Sequence, residues 1–137
     1  MQVGDYEIPE DLRYAEDHEW VRKINGTIEI GITDYAQKQL KDVVFIELPE
    51  PDTTIETKET FGAIESVKSV NDLFAPISGR VSEKNTELDE KPELVNQDPY
   101  GAGWIIRIEP SKFEEEWDAL LSPADYAALI EELEKGE

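Results

Sequence analysis

The sequence predicts a mostly β domain, built as a small sandwich or barrel, with helices toward its C-terminus. Its 137 residues fit one domain, and Leu, Ile, Val and Phe make up about a quarter of the chain, enough for a folded core. Short apolar segments alternate with Gly, Pro and Asn turns, and two helix start signals follow them. We therefore expect one domain over residues 1–137, with core strands over about 17–109 and a helical extension over about 111–135.

The first predicted element is a hairpin that leads into a short helix. Residues 20–24 and 27–32 alternate apolar and polar side chains on either side of Asn25-Gly26, a dipeptide that favours a two-residue hairpin turn. Thr33 is placed to accept a hydrogen bond from a free backbone N–H at the start of a helix over residues 34–40.

Further strands are predicted between residues 43 and 108, because runs of four to eight apolar-rich residues are separated there by turn residues. They cover residues 43–48, 61–67, 75–81 and 103–108. The exact pairing of these strands does not follow from the pattern.

The tail predicts two helices that cover an open face or edge of the strands. Ser111 and Ser122 each stand three positions before an acidic residue, which is the capping-box spacing, and Pro123 suits a first helical position. The expected apolar stripes are Trp117, Leu120 and Leu121 in the first helix, and Tyr126, Leu129, Ile130 and Leu133 in the second.

Charge excludes several classes of partner. With 33 acidic and 13 basic residues, the formal net charge is -20. Such a surface repels nucleic-acid phosphates and anionic membranes, and no apolar run approaches the length of a membrane span. The start of the chain lacks the features of a secretory signal. We expect a cytoplasmic protein, or a mitochondrial-matrix protein if the chain is a mature eukaryotic form.

The sequence lacks the residue types and motifs of common catalytic sites. The chain has no cysteine and a single histidine, His18, which excludes thiolate metal sites, thiol nucleophiles and multi-histidine metal sites. It also has no Gly-x-Ser-x-Gly elbow and no Gly-rich phosphate loop, and the spacing selects no pair of catalytic carboxylates. The prediction is a protein that is not itself an enzyme.

Two segments remain as candidate sites. In the first, His18 and Glu19 precede Trp20; the residues alone favour a packing role, with Trp20 in the core and the other two near an exposed strand start. In the second, Lys68 stands between Glu65 and Asp72. Apolar residues every third position there also fit a short helix, but strand-rich surroundings favour a hairpin.

A lysine in a turn is ordinarily a solubilising charge. A hairpin tip, however, holds the backbone accurately and leaves the lysine stem and ε-amine free. Such a lysine suits the attachment of a group-carrying cofactor such as biotin or lipoamide, because the cofactor then supplies the reactive atoms.

The sequence resembles the glycine cleavage H-protein family, whose members carry lipoate, over nearly its whole length. The segments that carry the resemblance are HEWV at 18–21, GITDYAQ at 31–37, VVFIELP at 43–49, FGAIESVK at 61–68, APISG at 75–79, ELVN at 93–96, DPYG at 98–101 and GW at 103–104. Together, in this order and spacing, they are highly specific.

The resemblance implies a barrel-sandwich hybrid fold, similar to lipoyl and biotinyl domains, with lipoate amide-linked to Lys68. It also implies a carrier role in one-carbon metabolism. Glycine decarboxylase (P-protein) loads an aminomethyl group, aminomethyltransferase (T-protein) removes it, and dihydrolipoyl dehydrogenase (L-protein) reoxidises the dithiol. A lipoate ligase or lipoyl/octanoyl transferase would attach the cofactor. Family precedent places the loaded amine near Glu19, with His18 close by, and makes Glu65 a contact for arm or partner; we expect a monomer.

Two alternatives stay open. The chain could relay lipoate to other lipoate-dependent complexes, or carry biotin. Biotin ranks last because Val67 and Ser69 flank Lys68, where biotin attachment usually has methionines. The chain departs from the family at three turn positions, where Lys41, Asp52 and Lys58 stand in place of the usual glycine, so we expect altered turns there.

Overall fold

The computed structural model describes residues 1–135 and confirms a mostly β fold, so the last two residues of the expected domain lie outside the described part. The strands are β1 (Gln2–Val3), β2 (Tyr6–Glu7), β3 (Arg13–Tyr14), β4 (Glu19–Ile24), β5 (Thr27–Ile32), β6 (Val43–Glu47), β7 (Thr54–Ile55), β8 (Thr60–Ser66), β9 (Val70–Phe74), β10 (Gly79–Lys84) and β11 (Ile106–Pro110). The helices are α1 (Asp34–Leu40), α2 (Glu87–Glu90), α3 (Leu94–Gln97), α4 (Phe113–Ala119) and α5 (Pro123–Lys135).

Two antiparallel sheets enclose the main core. One has the strand order β3-β4-β5-β11-β10-β7, and the other has the order β6-β8-β9, while β1 and β2 form a separate two-stranded ribbon. Buried, mostly aliphatic side chains from both sheets make one cluster, and a second cluster, half of whose buried residues are aromatic, joins α5 to the start of the chain. This architecture is the barrel-sandwich hybrid with C-terminal helices that the resemblance implies.

The predicted hairpin and its helix cap are confirmed. Strands β4 and β5 pair from Glu19↔Ile32 to Ile24↔Thr27, and Asn25 takes a left-handed φ of 55° between them. Thr33 then accepts a hydrogen bond from the Ala36 N–H at 3.2 Å, which starts α1. The local signals sufficed here because the turn and the cap depend on neighbouring residues only.

Several predicted bounds were wrong. The strand expected over 75–81 begins at Gly79 and continues to Lys84, and the strand expected over 103–108 begins at Ile106. The polar stretch between them contains the two short helices α2 and α3, which the pattern did not reveal. Their four-residue length is too short for a helical periodicity to register.

The tail helices are present, but only one serine caps its helix. The Asp125 N–H donates to Ser122 Oγ at 3.1 Å, as predicted, whereas α4 begins at Phe113 with no side-chain cap. Tertiary contacts hold α4 instead, since Glu116 accepts hydrogen bonds from the Ser78 N–H and Oγ–H, both at 2.7 Å. Leu133, expected on the buried stripe of α5, is 38% exposed.

The three residues that stand where the family usually has glycine adopt the positive φ that glycine favours. Lys41, Asp52 and Lys58 have φ values of 67°, 74° and 70°, in the left-handed region. A side chain with a Cβ is strained there by about 1–2 kcal/mol. The expectation of altered turns is therefore wrong as far as φ is concerned. The backbone keeps a positive φ at these three residues and bears the strain.

We expect Lys58→Gly to raise the free energy of unfolding by about 0.5–1 kcal/mol, because relief of the strained φ exceeds the entropy that glycine adds to the unfolded chain. Urea denaturation measures this change. Lys91→Gly is the matched control, since Lys91 has an unstrained φ of -130°. Equal destabilisation by both substitutions would contradict the prediction.

Within residues 1–135, no helix combines the length and the apolar character that crossing a bilayer requires.

Candidate functional site

Lys68 lies at the exposed tip of a hairpin, as predicted, and the alternative of a short helix is wrong. Strands β8 and β9 pair from Thr60↔Phe74 to Glu65↔Val70, which leaves residues 67–69 in the turn. The Lys68 side chain is exposed. Its amine is therefore presented to solvent from a turn that the paired strands hold in place.

The backbone of this turn is held by Ser66 and by a neighbouring loop. Ser66 Oγ accepts hydrogen bonds from the Lys68 N–H at 3.3 Å and the Ser69 N–H at 3.2 Å, and the Ser66 N–H donates to the Ser69 carbonyl at 2.8 Å. The Val67 N–H donates to the Asp42 carbonyl at 3.0 Å. The tip is thus tied both within itself and to the segment that precedes β6.

Asn96 supports that segment and was not singled out from the sequence as a site residue. Its Oδ1 accepts from the Val43 N–H at 2.9 Å, and its Nδ2 donates to the Lys41 carbonyl at 2.6 Å and to Gln37 Oε1 at 3.1 Å. Asn96 therefore positions the loop against which the lysine turn rests. An asparagine at a helix end carries no local signal for this role, because its partners lie more than 50 residues away.

A groove of about 320 Å³ runs beside the same hairpin. Strand β9 forms one wall, residues 16–19 form another, and α1 contributes Tyr35. The carboxylates of Glu16, Asp17, Glu19 and Asp72 line it, together with His18. The groove thus combines negative charge with apolar walls and adjoins the strand that begins two residues after Lys68.

Glu19 is buried in this groove, so the exposed position favoured by the residues alone is wrong. It is 2% exposed, and its Oε2 accepts a hydrogen bond from the Phe74 N–H at 3.4 Å. Its Oε1 is the buried side-chain polar atom without a hydrogen-bond partner in the described part of the chain. Burial, together with the nearby charge of Asp17, raises the pKa of Glu19 to about 8.

His18 is held beside Glu19 by the C-terminal helix. Its Nδ1 lies 2.8 Å from the hydroxyl of Tyr126, which lies 2.7 Å from Thr33 Oγ1. Tyr126 is fully buried and stacks on Tyr14, with ring centroids 4.5 Å apart. Burial lowers the pKa of His18, which favours a neutral imidazole at the groove wall. Sequence reasoning missed Tyr126 as a support because it is 108 residues from His18.

Glu65 lies apart from this groove. It is exposed on β8, directly opposite Phe45 on one side and Val70 on the other. The structure therefore divides the four predicted site residues into two sets. Lys68 and Glu65 lie on the outward hairpin, and His18 and Glu19 lie in the groove beside it.

Comparisons with known proteins point to one family. The family model described as glycine cleavage H-protein matches residues 12–133. A glycine cleavage system H protein of Carboxydothermus hydrogenoformans is 55% identical over 126 residues, which cover 91% of this chain and 95% of that protein. One from an Anaeromyxobacter species is 52% identical over 128 residues, which cover 93% and 99%.

A solved structure agrees with these sequence matches. The crystal structure of a glycine cleavage system H protein from Mycobacterium marinum superposes on this chain with a TM-score of 0.81 at 39% identity. The match covers 88% of this chain and 97% of the Mycobacterium marinum chain. Because both sequence and fold match over most of their length, the chain belongs to the glycine cleavage H-protein family, which supports a carrier role in glycine cleavage.

Proposed function

We propose that the protein carries lipoate on Lys68 and shuttles the aminomethyl group from glycine decarboxylase (P-protein) to aminomethyltransferase (T-protein). Dihydrolipoyl dehydrogenase (L-protein) then restores the oxidised cofactor. The observation that carries this proposal is the exposed lysine on a turn tied by Ser66 and Asp42. A fixed backbone with a free amine is the mount that a carrier requires.

The residues present fit the cofactor. The lysine amine is available for an amide bond, and the adjacent groove contains a buried carboxylate oxygen that nothing in the described chain satisfies. When bound, the lipoyl group supplies the disulfide chemistry that accepts and releases the cargo. The protein contributes the mount, a groove with apolar walls and a carboxylate for the cargo's amine.

Glu19 is the residue that we assign to the cargo's ammonium group. With a pKa of about 8, Glu19 is mostly protonated at neutral pH in the empty groove. A positive charge nearby favours the ionised form, so the arrival of an ammonium group would release the proton and form a charged hydrogen bond. The unpartnered Oε1 then gains a donor, which removes the penalty of an unsatisfied buried oxygen.

The net charge of -20 indicates the type of partner surface. P-protein, T-protein, L-protein and the lipoate ligase or lipoyl/octanoyl transferase would meet this monomeric, cytoplasmic carrier through basic patches. Association driven by such charge complementarity slows as the ionic strength rises.

The decisive experiment is the intact mass of the protein purified from its own host, followed by mapping of the modified peptide. We expect a lipoyl increment located on Lys68. An unmodified protein, a biotin increment, or a lipoyl group on another lysine would overturn the proposal.

A further inference from the structure

The hydroxyl of Tyr126, on the C-terminal helix α5, links two walls of the groove. It lies 2.8 Å from His18 Nδ1, on the wall formed by residues 16–19, and 2.7 Å from Thr33 Oγ1, which caps α1. The backbone joins the same two walls, because the Thr33 N–H donates to the His18 carbonyl at 3.0 Å. Tyr126 and Thr33 are both fully buried, so their hydrogen bonds are shielded from water.

The backbone at His18 is held in a strained conformation. Its φ of 75° lies in the left-handed region, which a residue with a Cβ seldom adopts. The His18 N–H donates to the Ala15 carbonyl at 3.0 Å, and the His18 carbonyl accepts from Thr33, so hydrogen bonds on both sides maintain this φ. Residues whose strain is maintained by their surroundings cluster at functional sites. Tertiary contacts thus place the imidazole at the groove wall.

The direction of the hydrogen bonds through Tyr126 follows from the requirements of Thr33. The Thr33 oxygen accepts from the Ala36 N–H at 3.2 Å, and within residues 1–135 the Tyr126 oxygen is the acceptor that the Thr33 hydroxyl hydrogen reaches. The Tyr126 hydrogen is then left for His18 Nδ1. In the reverse direction the buried Thr33 hydrogen would have no partner, which is unfavourable. Burial raises the pKa of Tyr126, so its hydroxyl keeps the hydrogen that it donates.

A hydrogen bond donated to Nδ1 opposes a positive charge on His18. The bond uses the lone pair of Nδ1 that a second ring proton would need, so the neutral imidazole carries its hydrogen on Nε2. Protonation of the ring would force the Tyr126 hydroxyl to turn its hydrogen away. Tyr126 therefore favours the uncharged form of His18.

Titratable groups face His18 from every element around it. They are four carboxylates and two tyrosines: Glu16, Asp17 and Glu19 of its own segment, Asp72 of β9, Tyr35 of α1 and Tyr126 of α5. Within the described residues, none of the four carboxylates has an ion-pair partner. Ionised carboxylates favour the imidazolium, whereas burial and the Tyr126 hydroxyl favour the neutral ring.

We propose that Tyr126 is a positioning residue for the aminomethyl cargo, because its hydrogen bond keeps His18 uncharged and leaves the ammonium group as the single cation in the groove. The inference rests on the proposed function. An imidazolium next to Glu19 would repel the ammonium group and would compete with it for the carboxylate. A neutral imidazole at the same place does neither.

The first measurement is nuclear magnetic resonance of the unmodified, nitrogen-labelled protein at pH 7. The chain has one histidine, so the two ring nitrogens give one assignable pair of signals. We expect Nδ1 without a hydrogen and Nε2 with one. A hydrogen on Nδ1 would overturn the inference, because His18 would then donate to Tyr126. This measurement uses the wild type, so it does not depend on the folding of any variant.

Tyr126→Phe removes the hydroxyl and keeps the ring that stacks on Tyr14. We expect it to raise the pKa of His18 by about half a unit to one unit, because a hydrogen bond that favours the neutral ring is lost. Tyr14→Phe is the matched control: Tyr14 is equally buried in the same stack, but its hydroxyl donates to the Pro9 carbonyl. The pKa of His18 in the control should equal that of the wild type. The same equality in Tyr126→Phe would overturn the inference.

Release of labelled cargo from the loaded protein tests the consequence. The rate for Tyr126→Phe, divided by the wild-type rate, should be about three or more at pH 6 and close to one at pH 8, because the imidazolium is populated only at the lower pH. Glu19 is present in both proteins, so its own titration cancels in this ratio.

A ratio that is raised equally at both pH values would indicate a loosened groove and would overturn the role of Tyr126 toward the cargo. The Tyr14→Phe ratio should not change with pH. A wild type that bears no lipoyl group, or that takes up no cargo, would instead overturn the proposed function. The hydrogen position and the pKa of His18, both measured on unmodified protein, keep these two failures distinguishable.

Discussion

Lys68→Arg is expected to abolish glycine-dependent exchange of labelled bicarbonate in a reconstitution with P-protein, down to the level measured without the carrier. Arginine keeps the positive charge and the exposed position, but its guanidinium stays protonated and does not form the amide bond. The turn itself should persist, since Ser66 and Asp42 bind the backbone at residues 67–69. Unfolding in urea, measured in parallel, checks that the fold is intact.

Lys41→Arg is the matched control for this prediction. Lys41 and Lys68 border the same shallow depression of the surface, but only Lys68 projects from the hairpin tip. Exchange should therefore survive in Lys41→Arg. Exchange that persists in Lys68→Arg would show that the cargo is carried elsewhere, and exchange absent from a lipoylated wild type would favour the relay of lipoate to other complexes.

Glu19→Gln is expected to change how stability depends on pH. The pKa of Glu19 is about 8 in the folded protein, against 4.5 as the ordinary value, so between these values the folded state binds a proton that the unfolded state has lost. Wild-type stability therefore falls as the pH rises through this window. At about 1.4 kcal/mol per pH unit, the free energy of unfolding should fall relative to Glu19→Gln by up to about 4 kcal/mol between pH 5 and pH 8.

Urea denaturation of both proteins at several pH values measures the difference. Glu16→Gln, which removes an exposed carboxylate of the same groove, is the control and should follow the wild type. Parallel pH profiles for Glu19→Gln and the wild type would contradict the assignment.

The same substitution should weaken retention of the aminomethyl cargo. Glutamine occupies the same space but cannot ionise to face an ammonium group, and loss of a charge-assisted hydrogen bond of about 1.4 kcal/mol corresponds to roughly tenfold faster release. In the wild type, retention should improve as the pH rises toward 8, because ionising Glu19 then costs less. Release of labelled cargo over time, measured at pH 6, 7 and 8, tests both expectations.

Local chemistry made much of the fold predictable. The turn at Asn25, the cap at Thr33 and the start of α5 after Ser122 each depend on residues within a few positions, and the structure confirms all three. The cap expected at Ser111 was wrong because α4 is held by Glu116 against Ser78, a contact between distant segments. Leu133 is exposed because the last turn of α5 lies beyond the aromatic cluster that covers Tyr126 and Ile130.

Some features of the candidate site were likewise predictable from nearby residues, whereas others depend on contacts between distant segments. The residue pattern favoured a turn between two strands for Lys68, and the order of its segments indicated the family. Packing of distant parts of the chain buries Glu19 with an unpartnered oxygen, brings Tyr126 to His18, and places Asn96 beneath the lysine turn. These contacts join residues between 53 and 108 positions apart, so they exist only once the two sheets and the C-terminal helix have packed together.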